Sequence, residues 1–576
     1  MTFSSVVWAP FPTSARIPIN HRRCHSRLVV AVWGAVILAV AQAGCAGSKP
    51  TPEPGVLEVG ENRQTSAFTR NFNPLLEVGD LRWPTKVAMY ETLLVFNPMK
   101  SQFVPWLATD WKFSDDRLTL TFTTRQGVLW SDGKPFTARD VEFTFALLKK
   151  FPALDIYGFW QYLKAVRADG DGKLVMEFSR QYVPGLDDIT VQFIVPQHIW
   201  KDVADPVSFA NENPVATGPF TEITSFQPQA YRVERNRRYW GGEPAVKALY
   251  FRAYAANDQT IMAIINGEID WSGNFIPAVQ RIHVGRDPEN HHYWFPALDA
   301  TVVLYANATV DPYKDVRVRK ALSMAIDRQR VVMVAMHNYT HPSDATALSD
   351  SHKRFHDDKV AEAEKDWVTF NPEAAGRLLD EVGLRRGPDG WRRKPDGTPW
   401  TVPIMAPIGF SDWVVAAQII TKGFRKIGID ANLRTLDYAA WYDEVQRGEF
   451  QVSMGWTLPS NTPYGFYRGL MSKRLMKPIG EEANENWHRL AIPETDEIFA
   501  KLDVAVSFDE QLPLYHQLQA LFAKYAPVIP LFPGPLWGLY NSKRFTGFPS
   551  ADDPYAPLSP HLYPTAILVL TKLRPK

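Results

Sequence analysis

The sequence predicts an α/β protein built from several lobes, and three observations carry that reading. Strand-like and helix-like segments alternate along the whole chain. No internal repeat or low-complexity tract interrupts them. The 576 residues exceed one ordinary core, and at roughly 150 residues per domain three or four structural units are expected. An apolar share of 45% beside 22% charged residues supplies ample core and no sign of wholesale disorder. Lys plus Arg number 63 against 62 Asp plus Glu, so the basic excess of a nucleic-acid binder is missing.

The long apolar run lies near the start, from Leu28 to Ala41, behind His21, Arg22, Arg23 and Arg27. Basic residues followed by an apolar stretch is the order of an export signal. The run falls short of the ~20 residues that span a bilayer comfortably. Small residues follow at once in Ala41-Gln42-Ala43-Gly44-Cys45. Two processing events fit: lipidation of Cys45 as a new N-terminus, giving a membrane anchor, or ordinary cleavage after Ala41-Gln42-Ala43. Residues 1–45 are therefore expected to be a leader and 46–55, rich in Pro and Gly, a tether. The other cysteine, Cys24, falls inside the leader, which leaves no disulfide framework and no thiolate metal site.

Further along, Leu118 to Thr123 alternates apolar residues with threonine, the period of a half-buried strand. Trp130 and the Ser131-Asp132-Gly133-Lys134-Pro135 turn follow. Thr137 with Asp140 three residues on then forms a capping box, opening a helix with Val141, Phe145 and Leu148 on one stripe. After Asp315, Val318, Leu322 and Ile326 recur at helical spacing beside Ala321 and Ala325. Arg317 and Arg319 on this helix read as a solvated or lobe-bridging face. Asn371, Pro372 and Gly383 punctuate another helix, with Ala375, Leu378, Leu379 and Val382 on its buried side. A hairpin signal runs from Asp389 to Gly397. Trp130 and Trp240 read as packing aromatics.

The stretch from Leu118 to Leu148 resembles the signature region of the family 5 solute-binding proteins of ABC importers, whose ligands include peptides, nickel and oligosaccharides. Further motifs recur in the family's order: Ala216 to Phe220, Asn236 to Gly242, Gly267 to Asp270, Asp315 to Arg328, the Asn371 helix, Ile427 to Asp430, and Tyr515 to Gln517 leading into Ala526 to Leu531. The resemblance implies a two-lobed periplasmic-binding-protein fold of the large type, with the ligand cleft between lobes. Lobe I would comprise 56–96, 216–305 and 530–576, an insert subdomain 97–215, and lobe II 306–529. It implies no catalysis and no cofactor. A monomer would capture a small molecule by lobe closure and hand it to the transmembrane subunits of an ABC permease.

Peptide binders of the family place an aspartate shortly after a tryptophan in lobe II. The matching stretch here, Met454 to Arg468, contains no acid, although Asp437, Asp443 or Glu444 could supply one from another strand. Hydroxyl-rich sugars suit it better, because Asn, Ser and Thr can pair with hydroxyls while aromatic faces accept pyranose rings. The stretch also looks like the family's cellobiose- and oligosaccharide-binding branch. The expected ligand contacts are Trp456, Asn461, Tyr464 and Tyr467, with Tyr438 and Trp441 nearby and Trp271 and Asn274 from the other lobe. Two alternatives stand beside an oligosaccharide or oligopeptide carrier. One is a nickel or other small-solute binder, for which His283, His291 and His292 are the candidate histidines. The other is a secreted glycoside hydrolase, although no G-x-S-x-G, H-E-x-x-H, C-x-x-C or Walker-type loop occurs.

Overall fold

The computed structural model describes residues 53–61, 65–76 and 82–576. The expected leader, Cys45 and the tether as far as Pro52 lie outside the described residues. The end of the expected tether is anchored: Glu53 pairs with Arg232 at 2.5 Å, and its carbonyl accepts from Arg544 Nη1 at 3.2 Å. The tether thus stops short of Gly55, whose φ of +82° turns the chain into the first strand. No described helix is long and apolar enough to cross a membrane.

Among the described residues, three sheets of four or more strands organise the chain. A seven-stranded mixed sheet has the order 291–293, 539–541, 271–272, 56–60, 248–252, 230–235, 220–227. Its central strand, Val56–Gly60, is buried throughout and pairs in parallel with both neighbours. That burial explains why Val56-Leu57-Glu58-Val59-Gly60 shows no polar alternation. A four-stranded antiparallel sheet of 108–113, 119–124, 173–178 and 163–168 lies in the expected insert. The strand read from Leu118 runs from Thr119 to Thr124 and buries Leu120, Phe122 and Thr124 on one side. Helix Ala138–Lys150 covers this sheet, entered through the Thr137–Asp140 capping box.

A five-stranded sheet, ordered 430–436, 401–407, 452–456, 301–306, 529–533, holds the remaining core. Strands 401–407 and 430–436 run parallel, with helix Ser411–Lys426 between them packing on both. The expected boundaries at 305/306 and 529/530 cut through two strands of this sheet. Thr301–Ala306 pairs with Ile529–Pro533, and backbone pairing keeps both strands whole within the five-stranded sheet. Between the two sheets the chain crosses twice, side by side. Trp294 N donates to Gly538 O (2.8 Å), Leu536 N to Pro296 O (2.8 Å), Asp299 N to Gly534 O (3.0 Å) and Gly534 N to Ala300 O (2.9 Å). Phe295 and Trp537 pack edge to face over this crossing, centroids 4.9 Å apart.

The motifs of the resemblance prove to be packing devices. Glu91 is buried and accepts from Trp106 Nε1 (2.7 Å), Tyr239 OH (3.1 Å) and Trp240 Nε1 (3.1 Å). Trp240 is thus spent on an internal carboxylate, and Trp130 is fully buried. Arg317 pairs with Asp315 on the surface. Arg319, read with it as part of a solvated or lobe-bridging face, is instead 2% exposed. Its guanidinium donates to the carbonyls of Tyr313, Lys314, Tyr525 and Ala526. It closes a helix end, a role that charge spacing does not reveal. Asn371 caps Pro372–Glu381 through Ala374 N, as its position suggests.

Gly218 sits where another backbone comes too close for a side chain: a Cβ there would lie 2.3 Å from Ala88 O and 2.5 Å from Met89 O. Gly218→Ala is expected to cost about 3 kcal/mol or more of stability, the upper range for an overpacked site, because both obstacles are main chain. Urea unfolding checks this, and an unchanged midpoint would contradict the packing described.

Candidate functional site

The eight expected contact residues fall into three places. Strand Val452–Trp456 alternates its side chains so that Trp456, at the end, emerges among rings rather than into the core. It is half-buried, stacked on Tyr442 (6.2 Å, 15°) and flanked by Trp413, Trp441 and Trp487 at 5.7, 5.3 and 5.7 Å. Tyr438, also half-buried, stacks on Tyr442 at 5.8 Å and 11°. Trp441 is fully buried and donates to Ser453 Oγ at 3.0 Å. Trp456, Tyr442 and Tyr438 thus form an aromatic shelf with Trp441 as its foundation.

The second place is the other sheet. Trp271 is 2% exposed and donates to Leu558 O at 2.6 Å. Asn274 is buried, accepting from Ser272 Oγ (2.7 Å) and donating to Glu61 O (3.3 Å). Both have their polar atoms paired inside the protein. Tyr467, on helix Pro463–Met471 and not on this sheet, is likewise buried, with its hydroxyl on Thr346 O at 2.9 Å.

The third place is a junction. Asn461 and Tyr464 lie at the start of helix Pro463–Met471, where they meet the strip of residues 180–188. Asn461 Nδ2 donates to Asp187 Oδ1 at 2.8 Å. Tyr464 OH donates to Asp503 Oδ1 at 2.5 Å, and Asp503 also receives Arg180 Nη1 (2.8 Å) and Arg474 Nη1 (3.2 Å). Val183 N donates to Asp503 O at 2.7 Å. Arg468, 7% exposed, donates to Tyr182 OH at 3.2 Å and stands 3.6 Å from Asp188 and from Glu485. The Tyr182 and Tyr464 rings meet edge to face at 6.3 Å.

The electrostatics of this junction are unusual. Burial pushes the Asp187 carboxyl up to about 6, only partly offset by the Asn461 hydrogen bond. No Lys, Arg or His pairs with Asp187 among the described residues. Burial raises Asp188 as well, with Arg468 opposing it. His352, 3% exposed and pushed down to about 4 by burial, holds the 457–462 loop through Ser460 O at 2.8 Å. Beside the junction opens a cavity of ~620 Å³ lined by the 157–182 and 468–504 stretches. Its size falls in the range of small-molecule sites.

Sequence reasoning missed the insert's share of this arrangement. The segment searched for an acid was 454–468 and its immediate neighbours, whereas the carboxylate beside Asn461 comes from Asp187, 274 positions away. Asp187-Asp188 inside the mostly apolar run Val183 to Val195 was the available signal. Asp437 caps its own helix through Ala440 N, Asp443 pairs with Arg447 and Glu444 with Arg434, so those three acids are engaged elsewhere. Among the described residues no three His, Cys, Asp or Glu side chains gather as a metal site. His283 and His291 stack on each other at 4.4 Å, and His292 stacks on Tyr540 at 4.7 Å.

Two packed sheets joined by paired crossing segments, with polar side chains from remote stretches facing each other at their junction, define a two-lobed binding protein. Residues 102–476 match the family described as bacterial extracellular solute-binding proteins, family 5 Middle, and the chain belongs to that family. The Escherichia coli dipeptide-binding protein is 24% identical over 485 residues, covering 80% of this chain and 86% of that one. The nickel-binding periplasmic protein of the same organism is 25% identical over 449 residues, covering 72% and 82%. Among solved structures, a mannohexaose-bound periplasmic oligopeptide-binding protein from Thermotoga maritima superposes with a TM-score of 0.84 at 24% identity, covering 91% and 99%.

Because Trp441 carries the aromatic shelf from below, Trp441→Ala is expected to lose about 3–5 kcal/mol of stability, the usual cost of removing a large buried ring. Denaturant unfolding measures this, and a loss below about 1 kcal/mol would show the shelf to be self-supporting.

Proposed function

We propose that this chain is the extracytoplasmic binding component of an ABC importer, that it captures a short peptide through a free amino terminus at the 180–188/461–468 junction, and that it delivers the solute unaltered to permease subunits. The observation that carries the reading is the carboxylate of Asp187, held beside Asn461 with no protein cation to neutralise it. Asp187 is half-buried; a partly desolvated carboxylate without a counter-charge carries a cost, and a ligand ammonium removes that cost when it binds. Peptide-binding names among the relatives, including an oligopeptide-binding protein of Bacillus subtilis, accord with it. Lipidation at Cys45 would tether the protein near its permease.

A second reading rests on a different observation. The half-exposed shelf of Trp456, Tyr442 and Tyr438 offers flat apolar faces of the kind that stack on sugar rings, so an oligosaccharide is the competing solute. The two separate cleanly. In a thermal-shift screen a peptide with a free amino terminus should raise the melting point, its N-acetylated form should not, and manno- or cello-oligosaccharides should not. Stabilisation by sugars alone would transfer the assignment to the shelf, and Trp456→Ala would then weaken binding by ~1–3 kcal/mol. Chemical conversion of the solute would refute a binding role altogether.

The pH dependence has a definite sign. Between its ordinary value of 3.8 and about 6 the folded protein keeps on Asp187 a proton that the unfolded chain has released, so stability from this group falls as pH rises through that window. Asp299, on the crossing segment, is raised to about 6 in the same way, so the variant and not the wild-type profile assigns the effect. Asp187→Asn should raise the melting point of the ligand-free protein at pH 7 and leave it unchanged near pH 4. Peptide affinity, which needs Asp187 ionised, should decline as pH drops below about 6. A variant that binds the peptide as tightly as wild type would remove Asp187 from the site.

A further inference from the structure

Away from the crossing segments, the bodies built on the two large sheets touch at a further place. Helix Asn257–Ile265 follows strand Ala248–Arg252 of the seven-stranded sheet, and the stretch 408–413 follows strand Thr401–Pro407 of the five-stranded one. Where they meet, Asn257 N donates to Gly409 O at 3.1 Å. Its side-chain Nδ2 donates to Ser411 Oγ at 3.3 Å and to Asp412 Oδ1 at 3.4 Å. Asn257 and Asp412 are 4% and 6% exposed, so the contact is closed to water. It is nevertheless weakly bonded. Both side-chain contacts lie past the ordinary N–H···O range, and no Lys, Arg or His pairs with Asp412 among the described residues. Burial pushes the Asp412 carboxyl up to about 6, which shows that the contact forms against the desolvation of a carboxylate.

The acceptor side is held rigidly by its own sheet. Ile408 N donates to Leu436 O at 2.7 Å and Phe410 N to Pro407 O at 3.2 Å. It also leads straight to the aromatic shelf: the Phe410 ring packs on Trp413 (5.5 Å) and Tyr438 (5.8 Å), and Trp413 packs on Trp456 (5.7 Å). A contact between two bodies joined by crossing strands, closed to water but bonded at long range against a buried charge, can be made and broken readily. We propose that Asn257, Ser411 and Asp412 form a closure latch, a contact made when the two bodies come together that sets how much of the ligand-free protein is closed, whatever the chemistry of the solute. Its weakness suits that role. A latch stronger than the solute contacts would hold the protein shut while empty, whereas a weak one leaves the solute to decide the closed population. The inference goes beyond the peptide reading and holds equally for a sugar on the shelf.

The test compares the full chain as wild type, Asn257→Ala, Ser411→Ala and Asp412→Asn; the last keeps the Oδ1 acceptor and removes the buried charge. Small-angle scattering of the ligand-free proteins at pH 7, where Asp412 is ionised, reads closure directly. The expected radius of gyration is largest for Asn257→Ala and smallest for Asp412→Asn, with wild type between them or level with one. Calorimetric Kd values for trialanine and mannohexaose should rise about threefold to tenfold in Asn257→Ala, the effect of losing one or two modest hydrogen bonds. The factor should be the same for both solutes where both bind, because the latch acts on the closed population and touches neither. Asp412→Asn should lower the same constants. Ser411→Ala is the milder cut and decides the matter if Asn257→Ala does not fold. Equal radii in all the folded proteins overturn the inference. So does an Asn257→Ala effect on one bound solute and not on the other, which would make Asn257 a solute contact. If neither solute binds, the proposed solutes fall while the scattering comparison still judges the latch.

Discussion

The rest of the structure depends on the paired crossing between the two large sheets. Four backbone hydrogen bonds along 294–300 and 534–538 make the crossing a short antiparallel ladder. Phe275, Phe295, Tyr339 and Trp537 pack around it with centroids between 4.9 and 6.4 Å. Two strands paired along their length can bend and twist as a unit but cannot slide past one another without breaking the ladder. That constraint lets side chains hundreds of positions apart, such as Asp187 and Asn461, meet in a fixed register.

At the junction, polar groups are buried faster than they are satisfied. Asp187 lacks a cation, and Arg468 Nε lacks an acceptor. Native interiors rarely leave such groups unpaired, because each costs desolvation energy that nothing returns. The charge of Arg468 is balanced by Asp188 and Glu485 at 3.6 Å, so the uncompensated charge at this interface is that of Asp187. A solute that carries a cationic group answers it, whereas a neutral one does not and would have to draw its affinity from the aromatic shelf. The same contrast bears on how binding could be coupled to closure: contacts from both strips to one small molecule favour the arrangement in which the strips face each other.

Much of the fold was legible because local rules and tertiary structure agree. The Thr137–Asp140 box, the Asn371 cap and the alternation in Thr119–Thr124 each state their conformation in a few adjacent residues. The site was legible only in part. Trp441, Tyr467 and Trp271 carry the same chemistry as Trp456 and Tyr438, and burial alone distinguishes them. Burial depends on which helix covers them, and sequence spacing does not encode that. Arg319 failed as a surface residue for the same reason: the carbonyls it serves belong to the end of a helix two hundred positions away. Asp187 escaped notice because its partner lies 274 positions away, and pairing between such distant segments leaves no periodic mark in either.

The central claim is that a small solute is gripped at this junction by groups from both sides. A crystal structure of the protein with its most stabilising peptide tests it most directly. The account predicts density spanning the 180–188 and 461–474 strips, with the peptide nitrogen within hydrogen-bonding distance of Asp187 and Asn461. Density confined to the aromatic shelf, or a ligand touching one side alone, would contradict it.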